Sequence, residues 1–364
     1  MSLFSCCSIQ CPASILNQFT LPLLSWHDVH GRKNLPWKHP VDAYRIWLSE
    51  VMLQQTQVKT VIPYFLRFID RFADINALAH ASEDEVLSLW SGLGYYSRGR
   101  NLHQTARIIN TQYKGLFPED IQTLVQLPGI GPSTAAAIAS QAFHQPTAIL
   151  DGNVKRVLSR YFMIGGVSTQ TMNALWEHAH QCMSQDRPAD YTQAIMDLGA
   201  TCCTAKKPQC AICPVKKTCL ANLNAVVADY PSKKPKKELP SKQQQFLLMH
   251  NQEGQIYLEK RPSKGLWGGL WCTPNIDLEI DPANFIQTTY SHHVLNIQPL
   301  MDIKHTFTHF RLYINALSIE TEASQQVPTE NQGCWFSHTE TIKLGLAKPI
   351  SDMIERFYAG CRGF

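Results

Sequence analysis

No apolar run in this 364-residue chain reaches the roughly 20 residues that a membrane-spanning helix needs, so no such segment is expected. The basic start of a secretory leader is missing as well. Residues 1–24 are interrupted by polar side chains and read as neither signal peptide nor anchor. Strong charge of one sign is also absent. The formal net charge is only +4, too small to identify a partner by itself. Disorder is excluded as the main theme by 44% hydrophobic and 17% charged residues, and the length allows two domains with cores of their own.

What charge there is divides unevenly. Residues 1–228 carry 19 Lys and Arg against 15 Asp and Glu, residues 229–243 carry 5 against 2, and residues 244–364 carry 9 against 12. A mildly basic front and a basic connector fit contact with a polyanion. The twelve cysteines, without a secretory leader, argue for a reducing compartment and metal ligation rather than disulfides, and the cytoplasm is the expected location. Cys6, Cys7 and Cys11 have no recognisable partner spacing and read as part of a loose tail.

The chain is organised around residues 121–160. Pro118 can open a short helix with Glu119 and Asp120 in its first turn, Leu124, Val125 and Leu127 facing inward. The turn Leu127-Pro128-Gly129-Ile130-Gly131 then stops it. Gly129 and Gly131 permit positive φ and close backbone approach, Ile130 can plug the core, and Pro132 can start an alanine-rich helix over 133–141. Such a helix-hairpin-helix gathers outward-pointing amides at a helix N-terminus, which suits a phosphate, although Gly and Pro punctuate many ordinary helix pairs. Twenty residues after Gly131 comes Asp151, in Leu150-Asp151-Gly152-Asn153-Val154-Lys155-Arg156. An Asp there can simply be an N-cap.

A second carboxylate stands on the helix expected over 43–56, which Asp42 can cap. Glu50 falls on the same face as Ile46, Trp47 and Leu53, where an acid is misplaced; burial should raise its pKa and keep it protonated near neutrality, fit to donate a proton. An edge position reaching water is the ordinary alternative. The glutamines at 54, 55 and 57 suit base contacts better than a packed face. Trp37, in Leu35-Pro36-Trp37-Lys38, is either core or a stacking surface. Gly92-Leu93-Gly94-Tyr95-Tyr96-Ser97-Arg98-Gly99-Arg100 offers stacking and phosphate contacts, or merely a helix-helix turn. Helices are further expected over 61–72, 84–90, 102–113, 175–183 and 191–199.

Cys203, Cys210, Cys213 and Cys219 then fall within seventeen residues, surrounded by Lys206, Lys207, Lys216 and Lys217. Four such thiolates call for a soft metal centre. Structural zinc usually shows two close pairs, whereas this single CxxC flanked by gaps of 6 and 5 resembles the [4Fe-4S] loop of the DNA glycosylase superfamily that bears such a hairpin. Cys202 would make the first gap 7 and is set aside as a bystander. Residues 229–243, with three prolines and five Lys, read as a linker. Beyond it, strands are expected over 245–249 and 255–259 around a Glu253-Gly254 turn, with 265–271 and 304–310 following as strand-like stretches.

Taken together, Trp47-Leu48-Ser49-Glu50-Val51-Met52-Leu53-Gln54-Gln55-Thr56-Gln57, Gly92-Leu93-Gly94-Tyr95-Tyr96, the Asp151 segment and the cysteine spacing resemble the adenine DNA glycosylases of the MutY type. The resemblance covers about residues 22–360. It implies a mostly α N-terminal domain over 22–228 with a [4Fe-4S] loop at 203–219, after an extension at 1–21, and an α+β Nudix-like domain over 244–362 that recognises 8-oxoguanine. No glutamate-rich Nudix helix follows Trp271, so Nudix hydrolysis is not expected. The implied reaction is removal of adenine mispaired with 8-oxoguanine or guanine in double-stranded DNA, by a monomer, with the adenine flipped out of the duplex.

By the same resemblance, Glu50 protonates adenine N7, Asp151 stabilises the positive sugar and Asn153 supports sugar and water. Trp37, Lys38 and Gln193 line the adenine pocket, Gln55 and Tyr95 wedge beside 8-oxoguanine with Leu53 inserted nearby, and Gly129, Gly131 and Ser133 belong to the DNA-binding hairpin. Phe307-Thr308-His309 matches the loop that recognises 8-oxoguanine, with Thr where family members often carry Ser. The alternative enzyme is the endonuclease III type, whose lysine nucleophile stands where this chain has Ser133; Lys155 could still trap a sugar weakly. A binding module without chemistry is the other alternative.

Overall fold

The computed structural model describes residues 13–232, 238–322 and 333–361. Cys6, Cys7 and Cys11, the first twelve residues of the expected extension, linker residues 233–237 and residue 362 lie outside the described residues. The chain forms two compact units. One takes residues up to Ala79 and from Gln104 into the linker; the other takes His80–His103 and the chain beyond the linker. Residues 80–103, expected within the N-terminal domain, thus group by contact with the C-terminal unit.

Ten of the helices among the described residues are, in chain order, α1 (Leu21–His30), α2 (Ala43–Leu53), α3 (Val58–Arg71), α4 (Glu83–Trp90), α5 (Ser97–Gln112), α6 (Ile121–Gln126), α7 (Pro132–Phe143), α8 (Gly152–Tyr161), α9 (Thr169–Cys182) and α10 (Pro188–Asp197), with a short helix at Ile75–His80 between α3 and α4. In the first unit, Leu23, Leu158, Leu175 and Leu198 are fully buried in one cluster, each contributing about 1.5–3 kcal/mol against exposure. The hairpin forms with one change. Helix α6 starts at Ile121, and Asp120 caps it by accepting from the Thr123 amide at 2.8 Å. A capping residue needs extended backbone, so Pro118, Glu119 and Asp120 precede the helix rather than open it.

Gly129 takes φ of +76°. Gly131 does not, having φ of −85° as the N-cap of α7. Ile130 is 3% exposed and plugs the core as expected. Helix α2 packs on α7, where Ala135, Ala136, Ala137 and Ala139 are all buried; side chains this small let the two backbones come close.

The second unit is built on a seven-stranded mixed sheet among the described residues: β1 (Ser241–His250), β2 (Ile256–Lys260), β3 (Trp271–Cys272), β4 (Asn275–Ile276), β5 (His293–Thr306), β6 (Arg311–Glu322) and β7 (Gly333–Phe336). The main order is β3-β2-β1-β6-β5, with β4 on β1 and β7 on β2. Only β1 and β6 pair in parallel, from Ser241 opposite Arg311 to His250 opposite Glu320. Both faces of β1 are covered, so its middle is continuously apolar. Phe246 and Leu248 pack with Ile350 and Met353 of helix α12 (Lys348–Cys361), while Leu247 and Met249 pack with Ile286 and Tyr290 of α11 (Pro282–Tyr290).

Two strand expectations change. Residues 265–270 are irregular, with Gly265 and Gly269 at φ of +96° and +77°, and strand structure starts only at Trp271. Strand β5 ends at Thr306, and residues 307–310 form the tight link to β6, closed by the Phe307 amide on the Phe310 carbonyl at 2.9 Å. Leu87 of α4 joins the α12 side of this core, Asp84 meets Lys260 at 2.9 Å, and the Tyr96 hydroxyl donates to the Leu346 carbonyl at 3.0 Å. These contacts explain why 80–103 belongs with the second unit.

Candidate active site

Asp42 caps α2, accepting from the Arg45 amide at 2.8 Å, and fixes the helix whose third turn carries Glu50. Ile46, Trp47, Val51 and Met52 around it are buried. Asp151 reaches the same place from the other side of the hairpin. It caps α8, its Oδ1 accepting from the Val154 amide at 2.7 Å, while its Oδ2 accepts from Asn153 Nδ2 at 3.4 Å. The capping role and a place in the site therefore coincide. Both carboxyls line one cavity of about 760 Å³ in the first unit.

Burial, then the Asp151 carboxylate, push the Glu50 pKa up to about 7, against a lowering hydrogen bond from Gln141. Burial also raises Asp151, but amide hydrogen bonds from Val154 and Asn153 and the Arg156 charge pull it back. The Asp151 charge is one of the causes that raise Glu50. With its pKa pushed up to about 7, Glu50 still has a proton to give near neutrality, beside Asp151 in the same cavity.

Of the other expected residues, Trp37, Leu53, Gln55, Ser133, Asn153 and Gln193 line this cavity. Trp37 does so while only 4% exposed, its ring edge-on to Phe65. Ser133 Oγ accepts from the Leu150 amide at 3.0 Å. Asn153 is held on both sides: Arg156 Nη2 donates to its Oδ1 at 2.9 Å and to the Gly199 carbonyl at 2.6 Å. Lys38 is not among the residues that line the cavity; its ammonium donates to the Arg32 carbonyl at 2.9 Å. Gly129 and Gly131 are at the hairpin turn, outside the cavity; a Cβ on Gly131 would meet nothing within 4 Å.

Several contributors escaped the sequence reading. Asp197 is fully buried and accepts from the Arg32 amide and Nε at 2.7 and 2.8 Å and from Gln193 Nε2 at 2.7 Å. The i,i+4 spacing of Gln193 and Asp197 on one helix was the available signal. Thr134, bonded by Gln54 Nε2 at 3.3 Å, and Arg32 also line the cavity, and no local pattern announces them.

In the second unit, Tyr95, Phe307, Thr308 and His309 line a larger cavity of about 1100 Å³, with Arg100, Lys242 and Arg261 and no Asp or Glu. Tyr95 holds φ of +48°, is 42% exposed, and lies beneath the Arg98 guanidinium at 5.3 Å. Thr308 and His309 are exposed on the β5–β6 link.

Cys203, Cys210, Cys213 and Cys219 line one small cavity of the first unit, with Arg160 and Cys202. Arg160 Nη1 donates to Cys203 Sγ at 3.3 Å. Among the described residues, no three His, Cys, Asp or Glu side chains converge as ligands of a single ion. Four thiols lining one cavity beside a guanidinium are soft donors of the kind that would suit an iron-sulfur centre.

Residues 48–181 match the family described as HhH-GPD superfamily base excision DNA repair protein, and residues 245–356 match the NUDIX domain. An adenine DNA glycosylase of Buchnera aphidicola subsp. Baizongia pistaciae is 38% identical over 93% of this chain and 96% of its own. The adenine DNA glycosylase of Homo sapiens is 34% identical over 93% of this chain and 73% of its own. Among solved structures, a thermostable thymine-DNA glycosylase is similar at a TM-score of 0.52 and 26% identity, covering 58% of this chain and 98% of that one. A trapped endonuclease III–DNA covalent intermediate, at TM-score 0.50 and 18% identity over 58% of this chain and 97% of that one, shares the fold. With such identity along nearly the whole chain, and with two carboxyls lining one cavity of the helical unit, this protein belongs to the adenine DNA glycosylases, enzymes of base excision repair that hydrolyse the N-glycosidic bond of adenine.

Proposed function

We propose that this chain removes adenine standing opposite 8-oxoguanine or guanine in double-stranded DNA, and that it does so without cutting the strand. The observation that carries the reading is the cavity shared by Glu50, whose pKa burial pushes up to about 7, and Asp151, whose amide hydrogen bonds counter the effect of burial. A flipped adenine entering it takes the Glu50 proton at N7. The C1′–N9 bond then breaks, its electron pair leaves with the base, and the positive charge on the sugar is met by Asp151, either electrostatically or as a transient covalent partner. Water adds to C1′, its excess proton returning to Glu50. Asn153, clamped by Arg156, orients the Asp151 side of the sugar, and Trp37 and Gln193 bound the base.

Cys203, Cys210, Cys213 and Cys219 would hold a [4Fe-4S] cluster, which supplies a structural cross-link in the first unit. Tyr95, Phe307, Thr308 and His309 would read 8-oxoguanine in a cavity rich in cations and rings, and Gln55 and Leu53 would wedge into the duplex. The division into an extension at 1–21, a catalytic domain at 22–228, a linker and a recognition domain at 244–362 belongs to the same proposal. One chain holds every group named, so a monomer suffices. Against the endonuclease III alternative, Ser133 cannot form a Schiff base and its hydroxyl already serves the Leu150 amide. Lys155 lies against Met172 at 3.1 Å and is not among the residues lining the cavity.

The test is single-turnover cleavage of an A:8-oxoguanine duplex, with and without alkali. The parent should yield a strand break only after alkali. Glu50→Gln should bind the duplex yet excise about 100-fold more slowly or worse. Excision at the parental rate in Glu50→Gln would defeat the assignment and favour a binder whose carboxylates merely cap and pack.

A further inference from the structure

Arg160, in the last turn of α8, is 3% exposed, and its guanidinium serves two stretches of chain at once. Toward the cysteine loop, Nη1 donates to the Thr204 carbonyl at 2.8 Å, the Cys203 sulfur at 3.3 Å and the Cys203 carbonyl at 3.4 Å, and Nη2 donates to the Ala205 carbonyl at 3.4 Å. Toward the start of the linker, Nε donates to the carbonyls of Tyr230 and Val227 at 3.0 and 3.2 Å. A planar guanidinium holds its N–H groups in fixed directions, so whatever orients Nη1 also aims Nε. Residues Val227–Asp229 form a single 3-10 turn, too short to persist unaided. Ser232 is tied separately, its Oγ accepting from the Gly166 amide at 2.7 Å. Val227 also lines the cavity of the four cysteines.

We propose that Arg160 is a latch through which the iron-sulfur centre fixes the root of the linker: with the centre in place residues 226–230 are pinned to α8, and on its loss they are released. Cys203 bound to iron presents an anionic sulfur, a stronger acceptor than a thiol, and burial strengthens the contact further. Ligation also holds Cys203, Thr204 and Ala205 as one rigid set of acceptors. Once that set loosens the fork swings with it, and Nε leaves the Tyr230 and Val227 carbonyls. The tether of the second unit thus starts from a point that the metal centre controls. The inference rests on the cluster reading above.

The experiment uses the full chain purified with its metal centre, with iron and sulfide measured per chain. Hydrogen exchange read by mass spectrometry compares the loaded parent, the parent after oxidation and chelation of its iron, and loaded Arg160→Gln. The amides of residues 226–230 should exchange about tenfold faster in the depleted parent and in Arg160→Gln than in the loaded parent, while those of α2 and α7 keep their protection. Equal exchange at 226–230 in the loaded and depleted parent overturns the proposal. So does an increase of the same size throughout the helical unit, which is general loosening rather than a latch. A loaded Arg160→Gln as protected at 226–230 as the parent assigns the hold to other contacts and overturns it as well; if that variant takes up no iron, the two forms of the parent decide by themselves. A parent carrying no iron and sulfide removes the cluster reading itself, and this inference with it.

Discussion

In the proposed mechanism Glu50 must keep its proton in order to protonate a purine, and the burial that keeps it there works against the folded state once the pH rises. Its pKa is about 7 in the folded chain against an ordinary 4.5. The raised value means that the folded state holds the proton more tightly, so this contribution is fully present below about pH 4.5 and fades up to about pH 7. Excision limited by Glu50 should therefore fall above about pH 7, which a single-turnover pH profile would read. Glu50→Gln removes the cost of the buried charge, worth roughly 3 kcal/mol at most. Its Tm should exceed the parent's by more at pH 8 than at pH 5; a pH-independent difference would contradict the raised pKa. Asp197 carries the opposite risk. Asp197→Ala strands Arg32 and Gln193 at the cavity wall, and should lower stability by about 3 kcal/mol in denaturant melts and slow excision as Gln193 loses its anchor.

At the level of elements, the site depends on how closely α8 and α10 approach. A Cβ on Gly199, just past α10, would stand 2.7 Å from the Asn153 Cβ and 3.2 Å from its backbone. Gly199→Ala should therefore push the first turn of α8, and Asp151 with it, costing about 1–3 kcal/mol and slowing excision more than it weakens duplex binding. Thermal melts and single-turnover rates check the two parts separately. Equal excision in both proteins would show that α8 can yield without moving its carboxylate. The N-cap of α8 is where structure and chemistry coincide: the amides of Val154 and Asn153 both hold the helix end and keep Asp151 more acidic than its burial would allow.

Across the whole molecule, residues 80–103 tie the fate of the second unit to a segment embedded in the helical sequence. Deleting residues 244–364 removes the partners of Leu87, Asp84 and Tyr96. The shortened chain should retain slow excision, lose much of its preference for 8-oxoguanine over guanine, and melt at lower temperature. An unchanged preference in competition assays would take the recognition role away from the tail.

Local sequence determined what is local. The Gly and Pro signals of the hairpin, the stripe that misplaces Glu50 among Ile46, Trp47 and Leu53, the Asp151 cap and the cysteine spacing all lie within a turn or two of chain, where periodicity and capping chemistry act directly. The three-dimensional arrangement decided the rest. The meeting of Glu50 with Asp151 in one cavity, the turning of Lys38 to the Arg32 carbonyl, the gathering of Cys203, Cys210, Cys213 and Cys219 around one cavity, the loop nature of 265–270 and the allegiance of 80–103 depend on partners far away in the chain. Burial and pairing between distant residues set the protonation, orientation and packing of each group, and no pattern confined to neighbouring residues encodes them.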